Sequence, residues 1–448
     1  MKKILVIGAG RSTYSLIKYL KQQSIENNWQ VTIADYDLNL ANAQAEGHER
    51  TTALQLDVTH DMERRTAVQD ADLVISMLPA HMHISVARDC VEFGKNMVTA
   101  SYISPEMEAL DEAAKKAGVI MINEIGVDPG IDHLSAMKVL DKIREEGGKM
   151  LIFESFTGGL VAPESDNNPW NYKFTWNPRN VVMAGSGGAV KFIQEGQYKY
   201  IPYHQLFRRI EFIDIDGFGR FEGYANRDSL KYRSTYGLDD IPTIYRGTLR
   251  KQGFCRAWDV FVKLGMTDDS YVLENSEHMT FRDFTNTFLA YNPYDSVELK
   301  LRYYLSIPQD SELMEKLEWI GIFEKTKIGL KKATPAQILQ HILEQRWQME
   351  PEDKDMIVMY HKFGYELNGE QKMIESSMVS IGRNSRETAM ARTVGLPVAI
   401  AAKNILNGNI TTPGVQIPIT KEIYEPMLAE LEEYSIKFTE KEVEYKGY

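Results

Sequence analysis

An apolar run, Ile4-Leu5-Val6-Ile7, passes without a break into Gly8-Ala9-Gly10 and then into helix-forming residues. This junction constrains the fold more than any other part of the chain. A strand that is apolar at consecutive positions is buried on both faces. A tight turn straight into a helix needs the backbone freedom of glycine. The helix must then cross over the strand and feed a second, parallel one. The chain repeats that alternation. Short apolar runs fall at residues 4–7, 31–34, 53–56, 73–77, 96–100 and 119–123. Helical stretches at 12–23, 38–46, 62–69, 83–93 and 105–117 separate them. The expected result is an α/β unit with a parallel, doubly wound sheet.

The turn itself reads Gly8-Ala9-Gly10-Arg11-Ser12-Thr13. A helix that starts just after a strand end presents unpaired amides and a positive dipole end, which suit a pyrophosphate. Gly8 permits the turn and Gly10 lets a phosphate approach the backbone, with Arg11, Ser12 and Thr13 completing the loop. Asp35 ends the second strand, where a carboxylate accepts hydrogen bonds from both adenosine ribose hydroxyls and repels a 2′-phosphate. Strand, glycine loop, helix and acid together give a Rossmann domain binding a nicotinamide dinucleotide, with NAD expected in preference to NADP. Asp37 is better placed than Asp35 to cap the helix near residue 38. Ser76, Met77 and Leu78 end the fourth strand and are expected beside the cofactor. Ligands of such sheets bind outside the carboxyl ends of the strands. His81 and His83 are expected to cap or to lie on the surface.

The 448 residues suggest two or three domains. A Gly147-Gly148 pair ends a helix near residues 132–146, and the sequence then becomes strand-rich and aromatic up to about Arg250. It turns helical to about Met349, strand-rich again over 355–380, and helical over 389–406. The expected domains are therefore 1–130 with 389–448, 131–253 with 350–388, and a helical insertion at 254–349. The tail beyond Phe438 is charged and expected to fray. A net charge of 51 − 63 = −12 argues against nucleic acid and anionic membrane as partners. The longest apolar stretch, 396–402, is far below a membrane span. The two cysteines, Cys90 and Cys255, imply neither a disulfide framework nor a zinc site. A cytoplasmic homodimer that binds a small-molecule substrate is expected, with no metal.

The segments Ser101-Tyr102-Ile103-Ser104-Pro105 and NEIGVDPGIDH (123–133) carry a resemblance, as do GGLVAPESDNNPWNYKFTW (158–176), YANRDS (224–229) and RGTLRKQGF (246–254). DMIVMYHKF (355–363) and MARTVGLPVAIAAK (390–403) extend it over nearly the whole chain. The sequence resembles the saccharopine reductases, the saccharopine dehydrogenases that form L-glutamate. The resemblance implies a Rossmann domain completed by the C-terminal part, a second mixed α/β substrate domain and a small helical insertion. It also implies a reaction: glutamate condenses with α-aminoadipate semialdehyde, and the imine is reduced to saccharopine. Two departures stand out. NADP-preferring fungal members carry an arginine near the end of the second strand, where this chain has Asp35-Tyr36, and a cysteine where it has Thr157.

Saccharopine carries three carboxylates, so an acidic protein must hold it with placed cations. The resemblance points to Arg227 and Arg246, whose planar forks suit carboxylates. Thr248 and Tyr172 are expected to add hydroxyls, Ser101 another contact, and Lys173 a further cation. Oxidation needs a neutral amine, so a proton acceptor must lie nearby. Asp128 is the first candidate and Tyr102 its assistant; Asp128 acting only as a ligand for the substrate ammonium is the alternative. Asp132 is expected to cap the helix that follows. Two other readings keep the glycine loop. One is a carboxynorspermidine or lysine dehydrogenase; the other is a dinucleotide-binding protein without turnover.

Overall fold

In the computed structural model residues 1–226, 228–308 and 311–447 are described. The chain forms two units. The first comprises Met1–Lys149, Leu367–Glu370 and Met378–Glu440. The second comprises Met150–Glu366, Gln371–Ser377 and Lys441–Tyr448.

The first unit alternates as the apolar runs require: β1 (Lys2–Ile7), α1 (Tyr14–Glu26), β2 (Trp29–Asp35), α2 (Leu38–Ala45), β3 (Thr51–Gln55), α3 (Asp61–Asp70), β4 (Leu73–Ser76), α4 (His83–Phe93), β5 (Asn96–Val98), α5 (Pro105–Glu108), α6 (Asp111–Ala117), β6 (Ile120–Ile122) and α7 (Ile131–Glu145). Four strands stop short of the apolar runs that announce them: Leu56, Met77, residues 99–100 and residue 123 fall beyond the carboxyl ends of β3, β4, β5 and β6. The single helix expected over 105–117 divides at Ala109-Leu110, where the Leu110 amide bonds back three residues to Met107 instead of four.

After α7 come β7 (Lys149–Val161), α8 (Pro178–Val182), β8 (Val190–Gln194), β9 (Gln197–Ile201), β10 (Ile210–Ile215), β11 (Gly219–Ala225) and β12 (Thr243–Lys251). Helices α9 (Phe254–Leu264), α10 (Phe281–Thr287), α11 (Val297–Leu305), α12 (Glu312–Trp319) and α13 (Pro335–Glu344) follow, and then β13 (Asp355–Leu367) and β14 (Glu370–Ile381). The chain ends with α14 (Ala389–Leu406), β15 (Gly414–Gln416), α15 (Lys421–Glu433) and β16 (Thr439–Val443).

The first sheet has the order β15-β6-β5-β4-β1-β2-β3, and its paired strands are parallel. Strand order reverses between β1 and β4, so a crevice opens beyond Ile7 and Ser76, which lie opposite each other in the register. One face of the sheet is covered by α3, α4 and α6, with Leu5, Ile7, Val74, Val86, Ala87, Cys90, Met97 and Met121 in one core. Helix α14 packs against α1. A Cβ at Gly395 would stand 2.9 Å from the Leu16 amide nitrogen, so only glycine allows this approach. Pro397 lies inside α14, yet nearly the whole helix is buried. Burial offsets a helix-interior proline penalty of about 3 kcal/mol.

The second sheet is mixed, with the order β10-β11-β12-β7-β13-β14-β16 and with β8 and β9 branching from β12. Strand β12 runs parallel to β7, with Arg246 opposite Ser155 and Thr248 opposite Thr157. Trp170, Tyr172, Trp258, Phe261 and Trp347 are fully buried beside it. The charged tail departs from the expectation of fraying: β16 extends the sheet at β14, because backbone pairing at an edge does not require apolar side chains. Both cysteines are buried thiols, and burial pushes both up in pKa. No helix among the described residues is long and apolar enough to cross a membrane.

Candidate active site

The glycine loop leaves β1 with Gly8 at φ +107, and a Cβ there would lie 2.8 Å from the Met77 carbonyl oxygen. Backbone conformation and crowding therefore both demand glycine. Gly10 is different. Its φ is −69, and no protein atom within 4 Å would meet a Cβ. Among the described residues nothing explains glycine there, and the backbone is left open to approach from outside. Arg11 is exposed, Ser12 half-buried and Thr13 buried. Residues Arg11–Thr13 form a short 3-10 turn before α1, so the helix begins later than the expected residue 12. The Thr13 hydroxyl donates to the Gly10 carbonyl at 2.7 Å. It closes the turn from inside, while the close helix approach falls to Gly395.

Asp35 accepts the Ala9 amide at 2.7 Å and the Asp37 amide at 2.9 Å. The carboxylate is thereby fixed beside the loop at the end of β2. Asp37 accepts from the Asn39 amide and caps α2. Tyr36 is exposed beside them. Met77 borders Gly8, and Leu78 leans against the core under the sheet. These groups suit a dinucleotide: an open glycine at a helix start, and a held carboxylate at the end of the neighbouring strand.

Further along the same sheet edge, His83 departs from the expectation of a cap or surface residue; only His81 is exposed. His83 is 3% exposed. Its Nδ1 lies 2.8 Å from Ser76 Oγ and its Nε2 2.7 Å from Ser101 Oγ. Burial, with a smaller contribution from His81, pushes its pKa down to about 4. Glu124 was visible only as part of a motif, yet it joins two site loops. Its Oε1 accepts the Ile103 amide at 3.0 Å, its Oε2 lies 2.9 Å from His133 Nε2, and its own amide donates to the Ser101 carbonyl. Both side chains of the Glu124–His133 pair are fully buried. Between them the loop Gly126–Gly130 folds tightly: the Gly126 amide donates to the Pro129 carbonyl at 2.8 Å, and Gly130 at φ +147 has no room for a Cβ. Asp128 at its tip is half-buried and precedes a cis proline. Tyr102 is 51% exposed. Asp132 does not take the cap position of α7, which Gly130 occupies; it accepts the Gly130 amide from inside the first turn.

In the second unit, alternation along β12 puts Arg246, Thr248 and Arg250 on one face. Arg246 is buried, with its guanidinium 4.7 Å from the Tyr232 ring centroid. Thr248 donates to Asn226 Oδ1 at 2.8 Å. Neighbouring Thr157 has a buried hydroxyl with no hydrogen-bond partner among the described residues. Arg227 lies outside the described residues. Lys173 is not an available cation: it pairs with Asp353 at 2.5 Å in a buried bridge. Tyr172 is not an exposed donor either. Its ring is packed against Phe254 and Trp347, and its hydroxyl has no partner within bonding distance among the described residues. Arg250, absent from the expected site, is buried among the rings of Tyr172, Tyr224 and Phe254.

Residues 4–122 match the family model described as saccharopine dehydrogenase NADP binding domain, and residues 126–436 that of the saccharopine dehydrogenase C-terminal domain. The chain is 33% identical to a saccharopine dehydrogenase (NADP(+), L-glutamate-forming) of Schizosaccharomyces pombe, over 98% of this chain and 99% of that one. It is 34% identical to the Pyricularia oryzae protein of the same name, over 99% of each. Its fold matches the solved apo saccharopine dehydrogenase (L-Glu forming) of Saccharomyces cerevisiae with a TM-score of 0.90 and 32% identity, over 99% of this chain and 100% of that one. Agreement in sequence, in both domain models and in fold over the full length leads to one conclusion: the chain belongs to the saccharopine dehydrogenase family.

Proposed function

We propose that this protein is an oxidoreductase of lysine metabolism that reversibly interconverts saccharopine with L-glutamate and L-2-aminoadipate 6-semialdehyde, using NAD in preference to NADP. One observation carries the reading. The glycine loop, the Ser101-Tyr102 segment and the Asp128 loop share one carboxyl edge of the parallel sheet, and Glu124 ties the last two together.

A bound nicotinamide cofactor supplies the hydride acceptor; the chain supplies orientation and proton handling. Gly8, Gly10, Arg11, Ser12 and Thr13 form the pyrophosphate loop, Asp35 holds the ribose, and Ser76, Met77 and Leu78 line the crevice. Ser101 and Tyr102 contact substrate on the side where Asp128 meets the amine. Asp128 binds the ammonium form and takes its proton, leaving the neutral amine that oxidation requires. Arg227 and Arg246 bind substrate carboxylates, assisted by Thr248. For Asp35, support comes from two backbone amides that fix its carboxylate at the end of β2, beside the glycine loop. Residues 1–130 and 389–448 are proposed as the dinucleotide-binding domain; β15 beside β6 and the packing of Gly395 on α1 support this for its C-terminal part.

The test is the appearance of NADH absorbance with saccharopine and NAD, and separately NADP, followed by identification of glutamate. No turnover of saccharopine with either cofactor, in a protein that binds NAD, would refute the assignment.

A further inference from the structure

Ser76, His83 and Ser101 form a continuous hydrogen-bonded chain at the carboxyl ends of β4 and β5. Its two ends differ. Ser76 is fully buried, whereas Ser101 is half-buried and reaches the crevice. A neutral imidazole has one N–H and one bare nitrogen, so it donates at one end and accepts at the other. Burial keeps His83 neutral near pH 7, with the exposed His81 the other charge acting on it.

Only one of the two tautomers satisfies every buried donor. With the proton on Nδ1, His83 would donate to Ser76, and the Ser76 hydroxyl hydrogen would have to find a second acceptor. Ser76 Oγ has no second partner among the described residues. A buried donor left unmade shifts such an equilibrium by roughly tenfold or more. With the proton on Nε2, Ser76 donates to Nδ1 and Nε2–H donates to Ser101 Oγ. The Ser101 proton is then the one donor that the chain does not consume, and it belongs to the one member that reaches the surface.

We propose that His83 is a positioning residue which, held by Ser76 as its Nε2–H tautomer, commits the Ser101 hydroxyl to donate outward to a carboxylate oxygen of the amino-acid substrate. The role of the substrate rests on the function proposed above; the tautomer does not. His83 never exchanges a proton with substrate. It sets the direction of a hydroxyl that would otherwise donate inward.

Two measurements on the full chain test this. The first needs no ligand: long-range imidazole 15N–1H correlation at pH 7, with the His83 signal identified by its loss in His83→Gln. An Nε2–H pattern is expected, and an Nδ1–H or doubly protonated ring overturns the proposal. The second is a double-mutant cycle. Ser101→Ala and His83→Leu should each raise the KM for saccharopine about tenfold, and together no more than Ser101→Ala alone. His83→Gln keeps a side-chain N–H near Ser101 and should recover much of the loss. Effects that multiply in the double variant, or an unchanged KM in Ser101→Ala, overturn it. A wild type that ignores saccharopine would refute the functional reading alone, while the 15N spectrum would still decide the tautomer.

Discussion

Removing the Asp35 carboxylate should collapse the proposed preference for NAD. In the folded protein this group cannot swing aside, because its two oxygens are engaged by the Ala9 and Asp37 amides at 2.7 and 2.9 Å. A 2′-phosphate would replace the hydroxyl that the carboxylate accepts, bringing like charges within about 4–5 Å. At an effective dielectric of about 20, one such charge pair costs about 3–4 kcal/mol, and screening at the half-exposed rim lowers this to about 2–3. Each 1.4 kcal/mol is about tenfold, so the wild type should favour NAD by roughly 30- to 150-fold in kcat/KM. Asp35→Ser removes the repulsion and also two charge-assisted hydrogen bonds to the loop. NAD use should fall by about tenfold or more, NADP use should rise, and the ratio should approach about one. Asp35→Ser with Tyr36→Arg should invert it. Initial rates at the NADH and NADPH absorbance band, with saccharopine saturating, give all six values. The Schizosaccharomyces pombe and Pyricularia oryzae relatives are named for NADP(+), so the wild-type ratio is informative by itself. Equal or better use of NADP by the wild type would refute the argument.

Asp128→Asn should lower kcat for saccharopine oxidation and remove the low-pH limb of its profile, while Tyr102→Phe should leave a smaller defect; if Asp128 only binds, its variant should raise KM at unchanged kcat. Gly8→Ala forces a side chain into φ +107 and against the Met77 carbonyl. Strain of about 1–3 kcal/mol should appear as a lower Tm, together with loss of cofactor binding by fluorescence titration. His83 supplies a pH test. Its pKa is about 4 when folded and 6.5 ordinarily, so the unfolded chain binds the extra proton between those values. Stability should therefore fall by about 3 kcal/mol as pH drops from 6.5 to 4 and level off below. His83→Gln should flatten that part of a denaturation series; an identical slope would remove His83 as its source.

Much of the first unit was legible because its physics is local. A strand buried on both faces must be apolar at consecutive positions, and a strand-to-helix turn must contain glycine. Hence the strands, the loop Gly8–Thr13, Asp35 at the end of β2 and the helix over Ala389–Leu406 could be read from residue order. The strand candidates overran chiefly at the carboxyl edge, where Leu56, Met77, residues 99–100 and residue 123 leave the ladder. No local rule announces what those residues meet there.

The residues that were misread or missed depend on contacts across long separations. His83 looks like an ordinary helix start, since one of the two serines that enclose it ends β4 and the other follows β5; only the parallel sheet brings those two segments to one edge. Glu124 acquires its role from Ile103 and His133, and Gly395 from Leu16. Lys173 and Tyr172 looked available because sequence carries no measure of enclosure: Asp353, 180 residues away, neutralises one, and an aromatic core closes over the other. By itself, then, the sequence determined the alternation, the dinucleotide loop and the family, because each is written in neighbouring residues. Which polar groups remain available to a ligand was decided only by tertiary structure, because desolvation and pairing depend on what the rest of the fold places beside them.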